Sequence, residues 1–319
     1  MTIERDASDI LTDSYNRTIS NVRIAVTSAC DLRCIYCHRE GEGENGCTRD
    51  DRPSQMSKEE ISELISVFAE LGIKTIKITG GEPLLRPDLL DIIRSIPHHI
   101  ESSLTTNGTH LAKLAKDLKA AGLSRVNVSL DTMNRETYKK ITGKDRLKDV
   151  LDGIDAALAA GLTPVKLNMV ILKGMNDHEI DDFLAYVRAR GEHLILQIIE
   201  LMDLNGWTDD MDPAVHGNPE MVAGLEEKFA KNSSQVTTRH MHHRRKYLVD
   251  GALVEVVRPM HNPEFCANCN RLRVTSDGLL KPCLLRTGNE VSIRGLHGDE
   301  LKAAIGAAVK NRSPYFFAQ

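Results

Sequence analysis

No run of about 18 consecutive apolar residues, the length a helix needs to cross a bilayer, occurs in the 319-residue sequence. No transmembrane helix is expected, and the opening MTIERDASDILTDSYNR is too charged for a signal peptide, so the reading is a cytoplasmic protein. An excess of charge of one sign is also missing: 41 Lys and Arg stand against 45 Asp and Glu, for a formal net charge of −4. That balance excludes a surface given over to nucleic acid or anionic lipid, and neither partner is expected. Any anionic ligand must be met by a few placed cations. The basic run HHRRKY (242–247) lacks interleaved aromatics on which bases could stack and reads as solvated loop. His98 and His99 lie outside any metal-ligand spacing. No internal repeat or low-complexity tract is present.

Cysteine is scarce and odd in number, at seven, and a reducing compartment disfavours disulfides. The seven divide as three, three and one. Cys30, Cys34 and Cys37 sit in VRIAVTSACDLRCIYCHREG (22–41), and Cys266, Cys269 and Cys283 in FCANCNRLRVTSDGLLKPCLLR (265–286). Cys47, in the polar stretch GEGENGCTRDD, reads as a bystander. Each trio lacks a fourth ligand close by. Structural zinc takes four, and His261 is the one nearby candidate to complete the second set. A four-iron cluster normally takes one thiolate per iron, so three compact thiols point to a cluster with one iron left open for a ligand. Zinc at either trio stays as the alternative.

The rest of the chain is long enough for one large α/β domain with a smaller appendage. The β-branched run 22–27 reads as a strand, and SKEEISELISVFAELG as a helix opened by a capping box of Ser57 and Glu60. Strands follow at 74–79, 104–106, 125–130, 164–172 and 193–201, separated by helices from about Asp88, over HLAKLAKDLKAAG, around 147–160, and from Asn176 with Glu179 three residues on. Six strand–helix units, with apolar residues at consecutive strand positions, imply a parallel sheet covered by helices. A partial (β/α)6 barrel and an open doubly wound sheet both fit this pattern, and both place a ligand at the carboxyl ends of the strands. The pattern changes after Trp207: residues 1–206 form the core, and 207–319 a C-terminal domain with a short helix and two hairpins, across Asp250-Gly251 and Asp277-Gly278.

Polar motifs fall at the expected strand ends. In Thr79-Gly80-Gly81-Glu82-Pro83, paired glycines let backbone approach a ligand, and the carboxylate can accept from an ammonium group. Thr105-Thr106-Asn107-Gly108, Ser129-Leu130-Asp131 and Met202 end three further strands. Arg271 and Arg273, two apart on a strand, share a face, and paired guanidiniums suit a phosphate chain. Arg23 and Lys166 are cations in otherwise apolar strands and must face a ligand or a carboxylate.

The three-then-two spacing of the first trio resembles the signature of radical S-adenosylmethionine (SAM) enzymes, whose open iron chelates SAM. The stretches KITGGEPLLR, LTTNG, VNVSLD, VKLNMVILKGMND, IIELMD and FCANCNRLRVTSDGLLKPCL, with both trios in this order, resemble the GTP 3′,8-cyclase family of molybdenum cofactor biosynthesis over nearly the whole chain. YCHREG and MHHRRKYL look most like its archaeal branch. The resemblance implies an α/β fold, a partial (β/α)6 TIM-type radical SAM barrel with a small C-terminal cluster-binding domain. It implies two 4Fe-4S clusters, one on Cys30, Cys34 and Cys37 and one on Cys266, Cys269 and Cys283, with SAM as cosubstrate. Reduced SAM would yield a 5′-deoxyadenosyl radical that removes hydrogen from ribose C3′ of GTP, and C3′ would then bond to guanine C8. By the same resemblance Tyr36, Gly81, Ser129 and Met202 contact SAM, and Arg23, Lys77, Thr105, Lys166, Arg271, Leu272 and Arg273 hold GTP. An electron donor, a downstream cyclic pyranopterin monophosphate synthase and a homodimer are the further partners it brings.

Three departures stand out. Many family members end in Gly-Gly, whereas this sequence ends SPYFFAQ, and Lys77 and Gln197 stand where arginine is common. Lysine keeps the charge and loses the bidentate fork; Gln197 loses both and receives no site role. The competing readings are a radical SAM peptide-modifying maturase, which would usually carry more than three C-terminal cluster cysteines, and a non-catalytic zinc protein.

Overall fold

The computed structural model describes residues 11–37, 55–202, 215–239, 241–260 and 262–315; Cys47, His261, Trp207 and the last four residues of SPYFFAQ lie outside them. Six strands, β1 (Asn21–Ala25), β2 (Thr75–Thr79), β3 (Glu101–Thr106), β4 (Arg125–Ser129), β5 (Val165–Ile171) and β6 (Leu194–Glu200), run parallel, each paired with the next. Between them lie α1 (Lys58–Glu70), α2 (Leu89–Arg94), α3 (Leu111–Ala120), α4 (Arg135–Thr142), α5 (Leu147–Ala159) and α6 (Ile180–Arg188). The capping box at α1 is present: Ser57 Oγ accepts from Glu60 N–H, and the Glu60 carboxylate accepts from Ser57 N–H at 2.7 Å. One side of α1 then buries Ile61, Leu64, Ile65 and Phe68, each contributing about 1.5–3 kcal/mol.

Three local readings are corrected. α4, capped by Asn134 and closed by Gly143 at φ 76°, was not among the expected helices. α6 begins at Ile180, because Asn176 is wholly buried and its side chain is committed elsewhere: Nδ2 donates to the carbonyls of Asp131 and Val170, and Oδ1 accepts from Leu172 N–H, all at 2.8 Å. The helix expected to be short, α7 (Pro219–Asn232), has 14 residues, and β7 (Gln235–Thr238) follows it.

The sheet order is β12-β11-β10-β1-β2-β3-β4-β5-β6-β9-β8-β7. Strands β1 to β6 succeed one another without a switch point, which excludes the doubly wound alternative and makes the sheet a partial barrel. The C-terminal strands extend both edges of this one sheet. β8 (Arg245–Val249) and β9 (Ala252–Val257) join the β6 side through a hairpin with Asp250 and Gly251 both at positive φ (47° and 82°), and β9 runs parallel to β6. On the other side β10 (Arg271–Val274) pairs in parallel with β1 and turns through Asp277-Gly278 into β11 (Leu279–Lys281), followed by β12 (Val291–Ser292). α8 (Pro263–Ala267) precedes β10, and α9 (Gly298–Lys310) closes the described chain.

Strands β1, β2 and β4 and the first part of β5 alternate, whereas β6 and the end of β5 are apolar at consecutive positions. Val22, Ile24, Ile76, Ile78, Val126, Val128, Leu167, Met169, Leu196 and Ile198 are fully buried, packed in the core with the helices. Most of their neighbours point inward and are polar, with Val170 and Ile199 as apolar exceptions on β5 and β6. In register across the lumen run Arg273, Arg23, Lys77 and Ser103; then Thr105, Asn127 and Lys166; then Ser129, Asn168, Gln197 and Glu255.

Candidate active site

The loop after β1, which carries the first cysteine trio, is clamped by its neighbours. Gly81 N–H donates to Thr27 O and Glu82 N–H to Ala29 O, each at 2.7 Å. A Cβ on Gly81 would stand 2.3 Å from Ala29 O, so this approach of two backbones requires glycine. Glu82 is wholly buried and accepts from Leu84 N–H (2.9 Å), Thr106 Oγ1 (2.8 Å) and Asn107 N–H (2.6 Å). Burial pushes its carboxyl up to about 7 against the pull of these donors. The expected acceptor for an ammonium group is therefore a brace between the loops after β2 and β3. Asp31 adds a second brace, accepting from Asn107 Nδ2 (2.8 Å) and Thr109 Oγ1 (3.0 Å). On the opposite flank Tyr36 Oη donates to Asp131 Oδ2 at 2.6 Å, and Asp131 Oδ1 accepts from Val170 N–H at 2.9 Å. Burial raises Asp131 to about 6 and, with Asp131 beside it, lifts Tyr36 well above its ordinary range, so the phenol stays a donor.

Inside the barrel lies a cavity of about 340 Å³. Tyr36, Ser129 and Met202 line it, as do Arg23, Lys77, Thr105, Lys166, Arg271 and Arg273, and all three cysteines of the second trio. Gly81 is exposed on the loop beside the first trio and is not among the lining residues. Leu272 points the other way, into the apolar core, and can meet a ligand only through its main chain. Eleven lysines and arginines line the cavity against one carboxylate, Glu200, in a chain that is acidic overall. Burial, then Arg23 and Arg271, push Lys77 well below its usual pKa; burial, then Arg23 and Arg273, do the same to Arg271. An anion in the cavity would reverse those repulsions. Thr105 Oγ1 and Asn127 Oδ1, neighbours in register, are buried and without a hydrogen-bond partner among the described residues. Lys166 does face a carboxylate: its Nζ lies 2.6 Å from Oε1 of Glu255.

Cys266 sits on α8, and Cys269 N–H donates back to Cys266 O at 3.1 Å. Two arginines that the sequence reading missed hold these carbonyls. Arg17 donates to Cys266 O (3.0 Å) and Ser313 O (2.6 Å); Arg312 donates to Cys269 O (2.6 Å); both pair with buried Asp13. The six described cysteines are thiols, and burial raises Cys30, Cys34 and Cys283 above their ordinary values. Among the described residues no three His, Cys, Asp or Glu side chains converge as a single ion would require. Each trio offers three thiols, a donor set that suits a multi-iron cluster with one thiolate per iron.

The HHRRKY run is not solvated loop. His243 and Arg245 are exposed, but His242 is 7% exposed with its ring stacked on Phe265 at 3.8 Å, and Tyr247 is fully buried. Arg244 lines the cavity beside Arg239, and its Nη1 donates to Gln197 Oε1 at 3.2 Å. Gln197, given no role from sequence, passes a second bond from Nε2 to Asn168 Oδ1. No sequence pattern around 239–244 separates inward from outward residues, because the segment is a connection rather than a strand.

The radical SAM superfamily profile matches residues 24–187, and the profile described as Molybdenum Cofactor Synthesis C matches 194–318. The chain is 48% identical to the probable GTP 3′,8-cyclase of Methanocella arvoryzae over 96% of this chain and 95% of that one. It is 47% identical to that of Archaeoglobus fulgidus (96% and 99% covered) and 44% identical to that of Pyrococcus abyssi (96% and 100%). Among solved structures, Streptococcus suis SuiB bound to its precursor peptide SuiA superposes with TM-score 0.67 at 14% identity, covering 91% of this chain and 66% of that one. Native anSMEcpe with bound AdoMet gives TM-score 0.59 at 16% identity, covering 88% and 79%. These two share the fold. With the two profiles end to end and relatives near half identity along nearly its whole length, the chain belongs to the GTP 3′,8-cyclase family of the radical SAM superfamily.

Proposed function

We propose that the chain converts GTP to (8S)-3′,8-cyclo-7,8-dihydroguanosine 5′-triphosphate, the first committed chemistry of molybdenum cofactor biosynthesis, and that it uses two 4Fe-4S clusters. The observation that carries this reading is one cavity lined by the second cysteine trio, by a set of cations suited to a triphosphate, and by Tyr36 from the loop of the first trio. Cys30, Cys34 and Cys37 would hold the first cluster, which when reduced supplies the 5′-deoxyadenosyl radical from SAM that takes the ribose C3′ hydrogen. Tyr36, Ser129, Met202 and the main chain at Gly81 would seat SAM, and the Tyr36–Asp131 bond sets where that seat lies relative to β5. Arg23, Lys77, Arg271 and Arg273 would hold the phosphates, with Lys166, Thr105 and the Leu272 main chain completing the GTP site. Cys266, Cys269 and Cys283 would hold the second cluster against the purine. The chain's own work is positioning and exclusion of water, since the cofactors carry the radical chemistry. An external electron donor is required, and the product is a substrate for a cyclic pyranopterin monophosphate synthase.

The test is anaerobic reconstitution with iron and sulfide, then SAM, GTP and a reductant. 5′-Deoxyadenosine and a cyclised guanine nucleotide should form together. Deoxyadenosine with unchanged GTP would remove the substrate assignment, and two equivalents of zinc without iron or sulfide would remove the enzyme.

A further inference from the structure

The connection between β7 and β8 starts at one edge of the open sheet and ends against the segment that begins the other. Arg239 N–H donates to Arg244 O at 2.8 Å, which ties the two ends of the connection together. His242 N–H reaches Asn268 O at 3.0 Å, and its ring lies on Phe265, so the loop docks on α8. His242 and His243 take φ of 60° and 49°, the left-handed region that side chains avoid, and the docking holds them there.

This loop delivers two guanidiniums to one buried carboxylate. Glu255, 1% exposed, has Arg239 Nη1 at 3.3 Å from Oε1 and Arg244 Nη1 at 3.8 Å from Oε2, besides Lys166. Three cations share a single buried carboxylate, Lys166 and Arg244 largely buried with it and Arg239 about a third exposed. Burial of that surplus is unfavourable until an anion joins it. The Arg244 side chain is 12% exposed, its Nη1 is fixed by Gln197, and its Nε is buried without a hydrogen-bond partner among the described residues. A planar fork with one unused donor and a surplus charge suits phosphate oxygens.

We propose that Arg239 and Arg244, carried across the barrel mouth by the β7–β8 loop, bind the phosphate chain of the nucleotide. The assignment rests on the GTP reading above and adds residues that lie outside the strand-borne cation set. It also explains the loop's geometry: docking on α8 fixes the phosphate ligands relative to the cysteines of the second trio.

Titration calorimetry on the full chain tests it, with GTP, guanosine and inorganic tripolyphosphate as probes. Arg244→Ala should weaken GTP and tripolyphosphate about 10- to 100-fold, the loss of charge-assisted bonds, and leave guanosine unchanged. Arg239→Ala should act in the same direction. Arg244→Lys, which keeps the charge and disturbs packing least, should lose part of the tripolyphosphate affinity, and it decides the matter if the alanine variant does not fold. Unchanged GTP and tripolyphosphate binding in the Arg244 variants, or an equal loss for guanosine, overturns the assignment while leaving the GTP reading standing. A wild-type chain that binds neither GTP nor tripolyphosphate overturns both.

Discussion

A lysine ammonium 2.6 Å from a buried carboxylate would ordinarily gain basicity, yet Lys166 is pushed down to about 7. Burial is the largest cause and outweighs the attraction of Glu255, and Arg239 and Arg244 repel the charge further. The sign for binding follows. Free Lys166 is largely neutral at pH 8 and largely charged at pH 6, and phosphate beside it favours the charged form. GTP should therefore bind more tightly as pH falls from 8 to 6, with proton uptake on binding at pH 8, read by calorimetry in two buffers of different ionisation enthalpy. Lys166→Met should lack that uptake; equal uptake in the variant contradicts the assignment of Lys166 to the site. At this scale the sequence was informative wherever a cation interrupts an apolar strand, as at Arg23, Lys166, Arg271 and Arg273. It was silent on Arg17, Arg239 and Arg312 and misread Arg244 as part of a solvated run; the roles of all four arise from contacts between segments far apart in the chain.

Among the elements, the loops at the strand ends carry the most constraint. Ala29 O would meet a Cβ on Gly81 at 2.3 Å, so Gly81→Ala must displace residues 28–29 and, with them, Cys30. The variant should keep its circular dichroism and lose iron at the first trio, measured as iron per chain after reconstitution. Full iron content would show that the close approach of the two backbones does not set the cysteine loop. The strand–helix alternation and both hairpins were legible because Asp-Gly turns and a capping box act locally. The inward polar face of the strands was written as a period of two, Val22-Arg23-Ile24 or Val126-Asn127-Val128-Ser129, but a sheet expected to be apolar throughout hides it. Asn176 misled for a different reason: its amide resembles a cap and instead ties β5 to the end of β4.

For the whole molecule, the choice between open sheet and barrel depended on strand order, which periodicity does not encode; only the family resemblance decided it. Likewise the later part of the chain supplies both edges of a single sheet, so the cysteines on α8 and after β11 meet the lumen built by β1 to β6. Residues 13–17 and 312–314 then lock that arrangement by holding the carbonyls of Cys266 and Cys269. On the proposed function the resulting cavity would hold the nucleotide, and the central claim is that hydrogen moves from ribose C3′ of GTP. The most direct measurement uses GTP deuterated at C3′ in the reconstituted reaction, with mass analysis of the 5′-deoxyadenosine. Deuterium should appear in the deoxyadenosine in step with cyclised product; deoxyadenosine that forms without it would contradict the account.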